Sequence, residues 1–283
     1  MGVGAQRSGT TWISRFLYDN PEVQFSPIKE ICFFDSKHVA SQRNTLLRPY
    51  NAKLALFGLG NYCLRYPFSG LQLIRHYLGV RALHDSSYRA FFDELACEGA
   101  VAGEICPSYA VLHEEAIRAM DTLLDQPNYF YIMRNPIDRL VSQYSFLIHR
   151  KDLGLKLPER GSLLDKLLWL CETSFHSNYH LTLKSYRAVV PETRFKVMFT
   201  EHLFDPLRHE VECDSLCDFL GIGCVKAPIE KAVNRAPEIS IDSYSRAILA
   251  AALTESYQSV AKDFAMQLPD NWQQDLLLTS VRA

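Results

Sequence analysis

The densest run of residues able to do chemistry lies at the start of the chain: Gly4-Ala5-Gln6-Arg7-Ser8-Gly9-Thr10-Thr11-Trp12. A helical pattern follows, with Ile13, Phe16 and Leu17 at i, i+3 and i+4 and Arg15 and Asp19 on the other side. A glycine-bounded loop that opens a helix turns its backbone N–H groups, and those of the first helical turn, towards one anion. Loops that wrap nucleoside triphosphates place a lysine after the second glycine to reach the β- and γ-phosphates. Here that position is Thr10, and the cation is Arg7, inside the loop. The stretch therefore suits a phosphate, without the lysine that ATP and magnesium call for.

A second anion candidate is Arg134. It ends the apolar, β-forming run Asn128 to Met133, and Asn135-Pro136 then supplies an N-cap and a first helical residue. Ser142 lies about two turns into that helix, roughly 11 Å along its axis, part of which a long arginine can span. Arginine by a charged fork and serine by its hydroxyl could hold one phosphate. Taken alone, the pair reads equally as a surface ion pair beside a solvent-facing serine. The third candidate is Lys29-Glu30, which runs into Phe33-Phe34-Asp35. It reads as a general base with its partner or as a solvated charge pair.

These residues need elements to position them. Met1-Gly2-Val3 is too short for a full strand but could end one, and Val23 to Phe25 alternates as a short strand. Ala100 to Glu104, Asn128 to Met133 and Phe195 to Phe199 read as buried strands. Helices are expected after Tyr109, from Pro136 to about 150, over 162–173 and 175–190, over 201–220 with a break near Pro206, and as one amphipathic stretch from Ser243 to Phe264. Residues 36–98 read as a mostly helical insert inside a single domain, 1–283. Strands alternating with helices indicate an α/β fold with a mostly parallel sheet, in which ligands sit at the carboxyl ends of the strands. The loops at 4–12, 29–30, 104–109 and 134–135 should then share one rim.

Composition narrows the rest. With 283 residues, 48% hydrophobic and 22% charged, the chain can bury a sizeable core. A net charge of −2 offers no field for nucleic acid, so any anion site is local. No window approaches the ~18 apolar residues of a membrane span, and no signal peptide is visible. A cytoplasmic location is expected, with an upstream segment possible. The eight cysteines show no C-x-x-C pair and no histidine at zinc spacing; Cys213, Cys217 and Cys224 form the one cluster. They read as buried reduced thiols, and no metal is expected.

Gln6 to Trp12 resembles the 5′-phosphosulfate loop of sulfotransferases, which use 3′-phosphoadenosine 5′-phosphosulfate (PAPS), and Arg134 with Ser142 resembles that family's 3′-phosphate motif. Lys29-Glu30 to Phe33-Phe34-Asp35 is similar to the K-E-x-x-F-F segment of its carbohydrate-type branch, and Gly103-Glu104 to Pro107-Ser108-Tyr109 to its G-E-x-x-P-S-Y segment. Glu201 to Pro206 is similar to its E-x-L-x-x-D-P stretch. Five motifs in the family order, from residue 3 to about 240, carry the resemblance.

The resemblance implies a three-layer, P-loop-like fold with a mostly parallel central sheet flanked by helices. It implies PAPS as co-substrate, no metal, and a carbohydrate or other hydroxylated small molecule as acceptor. It assigns the phosphosulfate to Arg7, Ser8, Gly9, Thr10 and Thr11, the 3′-phosphate to Arg134 and Ser142, and a late basic loop to Arg235. Trp12 would either stack near the adenine or be a core aromatic. Glu30 would be the general base, with Lys29 beside it. The chain departs from the family at Ile105, where many relatives have lysine, and at Cys106, where threonine is usual. Two other readings stay open. A P-loop kinase would call for a lysine after Gly9 and an aspartate ending strand 128–133, where the chain has Thr10 and Arg134. A non-catalytic nucleotide-binding protein is favoured by Ile105 and the short first strand.

Overall fold

The computed structural model describes residues 1–39, 49–65, 67–96, 100–149, 157–226 and 237–280. Its regular strands are β1 (Val23–Phe25), β2 (Val101–Gly103), β3 (Tyr129–Met133) and β4 (Phe195–Phe199). β1 pairs in parallel with β2, Val23 opposite Val101, and β3 in parallel with β4, Tyr129 opposite Phe195. The N-terminal segment joins the two pairs, because Gly2 bridges Ile105 on one side and Phe130 on the other, both in parallel. On the first edge the Gly2 amide donates to Glu104 O at 2.9 Å and the Cys106 amide to Gly2 O at 2.8 Å. On the second, Val3 donates to Phe130 O at 3.0 Å and Ala5 to Ile132 O at 2.7 Å. The spatial order is therefore β1, β2, residues 1–5, β3, β4. The stub expected before the glycine loop is a central strand, held on both edges.

That central place explains Gly2. A Cβ there would lie 2.6 Å from both Ile105 Cγ1 and Phe130 Cζ. Gly2→Ala is expected to destabilise the fold by about 1–3 kcal/mol, the usual range for overpacking, and urea melts measure it.

The helices are α1 (Thr10–Tyr18), α2 (Phe33–His38), α3 (Pro49–Arg65), α4 (Pro67–Arg81), α5 (Asp85–Leu95), α6 (Glu114–Leu123), α7 (Pro136–His149), α8 (Leu163–Ser174), α9 (Tyr179–Arg187), α10 (Thr200–Leu203), α11 (His209–Leu220), α12 (Ser243–Ala252), α13 (Thr254–Phe264) and α14 (Asp270–Leu278). Alternation along β3 divides the core. Phe130 and Ile132 face a cluster with Trp12, Ile13, Phe16 and Leu17 of α1 and Leu216 of α11. Tyr129, Tyr131 and Met133 face a larger one with Ile117, Leu140, Tyr179 and Trp272. α4 and α5 add Leu73, Val80, Tyr88 and Phe91 to this larger cluster. The fold is thus mixed α/β with parallel strands and a majority of helix. None of the described helices is long and apolar enough to cross a membrane.

Several helix boundaries differ from the sequence expectation for local reasons. The stretch from Ser243 to Phe264 is two helices, broken at Leu253 (φ −108°, ψ 15°). There the Thr254 hydroxyl donates to Ala251 O at 2.8 Å, a side-chain bond that competes with the helical ladder. α9 begins at Tyr179, not 175, because Phe175 takes a left-handed conformation (φ 54°) that ends α8. Ahead of α6 the chain makes a 3-10 turn, Pro107–Val111, that contains Tyr109, and the His113 side chain then caps α6 by accepting from the Ala116 amide.

Candidate active site

The loops that follow the N-terminal strand, β1, β2, β3 and β4 leave from the same edge of the sheet, the carboxyl edge where α/β folds bind ligands. At its centre, Gly9 occupies the N-cap of α1 in a left-handed conformation (φ 83°), and no side chain caps that helix. A Cβ on Gly9 would lie 2.9 Å from Phe204 Cε2. Glycine thus lets the chain enter α1 at this angle; the Trp12 amide turns back to Gly9 O at 2.9 Å, which leaves the amides of Thr10 and Thr11 to meet another acceptor. Next to it, Ser8 is fully buried and its Oγ has no hydrogen-bond partner among the described residues. A buried hydroxyl beside an uncapped helix start suits an arriving anion. Thr200 fixes the loop, its hydroxyl lying 3.0 Å from both Ser8 O and Met133 O and sharing its one proton between them.

Arg7, Arg134 and Ser142 come together. Arg7 Nε donates to Ser142 Oγ at 3.2 Å, its guanidinium lies 4.7 Å from the Phe146 ring centroid, and Arg134 donates to Arg7 O at 3.3 Å. Burial, then Arg134, then Arg139 lower the Arg7 pKa. Like charges gathered this closely make a strong local attraction for an anion. The two anion candidates of the sequence thus form one continuous cluster, in which Arg7 leans on the hydroxyl expected to serve Arg134.

Lys29 and Glu30 meet the start of α1 at Thr11. Lys29 Nζ donates to Thr11 Oγ1 at 3.2 Å and to Glu30 Oε1 at 2.7 Å. Both side chains are about one-third exposed (33% and 38%), so the pair is reachable from solvent. Glu30 sits at φ 62° and Cys32 at φ 60°, a kinked path that needs outside support. Glu104 provides it. Its Oε2 accepts from the Ile31 amide at 3.2 Å, and its Oε1 accepts from the Tyr88 hydroxyl at 2.5 Å and the Tyr109 hydroxyl at 2.9 Å. Tyr109 Oη in turn accepts from the Phe33 amide at 3.0 Å. Burial pushes the Glu104 carboxyl up to about 7, with the three donors pulling the other way.

Residues 2–244 match the family model described as a sulfotransferase domain. The chain belongs to the sulfotransferase domain family. It is a sulfotransferase enzyme. Its structure is similar to that of a sulfotransferase from Alicyclobacillus acidocaldarius, at 18% identity over 96% of each chain with a TM-score of 0.60. It is also similar to the sulfotransferase domain from the Curacin biosynthetic pathway, at 16% identity over 99% of this chain and 96% of the other, TM-score 0.57. At these identities the likeness is one of fold. A comparison with curated proteins finds no match.

Not every residue expected from the family motifs faces the rim. Trp12 is 6% exposed, stacked on Phe16 at 5.4 Å and edge-on to Phe204 and His209, surroundings of a core aromatic. Ile105, at the family's lysine position, is fully buried and packed beside Gly2, so a lysine there would enter the core. Arg235 lies outside the described residues.

Other groups were invisible in the sequence. Asn135 caps α7 as expected, its Oδ1 accepting from the Ile137 and Asp138 amides, but its Nδ2 donates to Asp275 Oδ2 at 2.7 Å. Arg246 holds Asp275 with two bonds, at 2.6 and 2.7 Å, and reaches Asp138 at 3.0 Å. The C-terminal helices thereby fix the turn that carries Arg134. Tyr179 adds a hydroxyl bond to Arg134 O at 2.6 Å. Arg139, fully buried one turn into α7, donates to Ser177 and Gln143, both at 2.7 Å, and adds charge behind Arg134.

His176 reports on that charge. It is 7% exposed, its Nδ1 has no hydrogen-bond partner among the described residues, and burial followed by Arg139 pushes its pKa down to about 3. The unfolded chain takes up this proton near pH 6.5 and the folded chain only near 3, so the stability is full above pH ~6.5 and is lost as the pH falls. Relative to His176→Phe, the wild type is expected to lose about 1.4 kcal/mol of unfolding free energy per pH unit below ~6.5. Urea melts of both proteins between about pH 7 and pH 5 read this slope, and a flat difference contradicts the assignment.

Proposed function

We propose that this sulfotransferase moves a sulfuryl group from PAPS to the hydroxyl of a carbohydrate or other hydroxylated small molecule, with Glu30 as general base. The observation that carries this reading is the chain Thr11–Lys29–Glu30, which sets a carboxylate one ammonium away from the start of α1. In this reading the loop amides, Ser8, Thr10, Thr11 and Arg7 hold the 5′-phosphosulfate, and Arg134 with Ser142 holds the 3′-phosphate. Lys29 takes the part of the missing lysine at Ile105. The uncapped start of α1 and the unpartnered Ser8 hydroxyl fit such an anion. The order of the parallel strands and the two-sided core support a three-layer, P-loop-like arrangement. We further read the chain as one domain in which the helical stretch at 36–98 shapes the acceptor site.

The chemistry follows from these positions. As the acceptor oxygen forms its bond to sulfur, Glu30 takes the hydroxyl proton. The bond between sulfur and the bridging oxygen breaks, and its electron pair stays on the 5′-phosphate, where Arg7 and the α1 amides meet the growing charge. No step calls for a metal. Sulfur-35-labelled PAPS incubated with a panel of sugars and phenols tests the reading: label is expected in a hydroxyl-bearing product. Label released only as inorganic sulfate across the panel would count against acceptor transfer.

A further inference from the structure

We propose that Cys32, Asp35 and Cys106 form a buried three-ligand site for a borderline-soft divalent cation, Zn²⁺ being the natural occupant. The inference does not rest on the donor, base or acceptor proposed above. The ligand atoms of the three residues all lie within 4.8 Å of one another. All three side chains are buried, Cys32 at 4% exposure and Asp35 and Cys106 at 0%. The two sulfurs are 3.6 Å apart. Two thiolates on a tetrahedral zinc, with bonds of ~2.3 Å, stand about 3.8 Å apart, so the pair is already close to the edge of such a tetrahedron.

Asp35 is the independent observation. Neither of its carboxylate oxygens has a hydrogen-bond partner among the described residues, although the side chain is fully buried. Glu104, the other buried carboxylate of this region, is met by three donors. A buried carboxylate is stable when it is paired, hydrogen-bonded or bound to a metal. Asp35 faces two thiols, and the Ser108 hydroxyl and Ser36 amide lie near enough to favour its charged form without completing a hydrogen bond to it; two thiolates with a carboxylate are a zinc-type set. Ser108 Oγ stands beside both sulfurs, 3.1 Å from Cys106 and 3.9 Å from Cys32, where it can orient a fourth, water ligand. The cation would tie the start of α2, just after Glu30, to the segment behind β2. The cysteines are 74 positions apart, so no local spacing reveals them.

Full-length protein is expressed with zinc, gel-filtered and assayed for metal by mass spectrometry. It is then stripped and titrated with Co²⁺, whose thiolate charge-transfer and tetrahedral d–d bands report the ligands. An equimolar amount of zinc is expected to stay with the wild type, and both cobalt signatures should appear. Cys32→Ser and Cys106→Ser should each abolish the charge-transfer pattern of a two-thiolate site. Asp35→Asn should weaken Co²⁺ binding by at least ~100-fold, the upper end of what loss of an outer-shell partner costs. Cys217→Ser/Cys224→Ser should bind as the wild type does. The wild-type spectrum needs no variant to fold. The proposal is overturned if the wild type holds no zinc and gives no cobalt bands. It is also overturned if the bands survive Cys32→Ser, or if the purified protein carries a Cys32–Cys106 disulfide and no metal.

Discussion

Replacing Glu30 by glutamine is expected to lower kcat by about 10²–10⁴-fold, the range of a lost general base, while affinity for 3′-phosphoadenosine 5′-phosphate stays within a few-fold. Glutamine keeps the shape and can still accept from Lys29, whose contact with Glu30 Oε1 is 2.7 Å. It cannot take a proton from an acceptor hydroxyl. A loss in kcat alone is therefore the mark of chemistry. A structural role would show as weaker nucleotide binding or a lower Tm instead. Wild-type turnover in Glu30→Gln would remove the base assignment and leave the nucleotide site untouched.

Removing the Arg7 side chain should cost more than one thing at once. Arg7 touches Ser142 Oγ and the Phe146 ring, and its carbonyl receives Arg134. Arg7→Ala is expected to reduce kcat/KM by about 10²–10³-fold, as for loss of one donor aimed at developing charge. Nucleotide affinity should fall as well, because the same guanidinium sits among the groups proposed to hold the phosphates. Lysine should restore little, since an ammonium cannot both donate to Ser142 and lie flat on Phe146. Arg7 has φ 66°, a conformation asparagine tolerates better than alanine, so Arg7→Asn serves as the backbone control. Steady-state kinetics with the two variants, beside their melting temperatures, separates lost charge from lost fold. An Arg7→Asn enzyme with unchanged kcat/KM would place the developing charge elsewhere.

Much of this site is legible in the sequence because its parts are local. The glycine pair framing Arg7, the Asn135-Pro136 helix start and the Lys29-Glu30 dipeptide each sit in a few consecutive residues, and the α/β alternation placed their loops on one rim. What stayed hidden depends on contacts between distant parts of the chain. Three residues do not announce a central strand; Gly2 becomes one through Glu104, Cys106 and Phe130. The kinked path through Glu30 is held by Glu104, Tyr88 and Tyr109, from two other segments. Arg246 and Asp275 belong to none of the motifs read from the sequence, yet they close the turn at Arg134. Trp12 could be read two ways because one residue's pattern says which helix face it occupies but not which ring it meets there.

The central claim is that the rim holds a nucleotide with phosphate at its 3′ end, and it can be tested without knowing the acceptor. Calorimetric titration of the purified enzyme with 3′-phosphoadenosine 5′-phosphate, and separately with ATP and magnesium, measures it. The bisphosphate is expected to bind at least ~100-fold more tightly, about 2.7 kcal/mol, and Arg134→Ala should erase most of that difference. Equal or tighter binding of ATP with magnesium, or a preference that Arg134→Ala leaves intact, would contradict it.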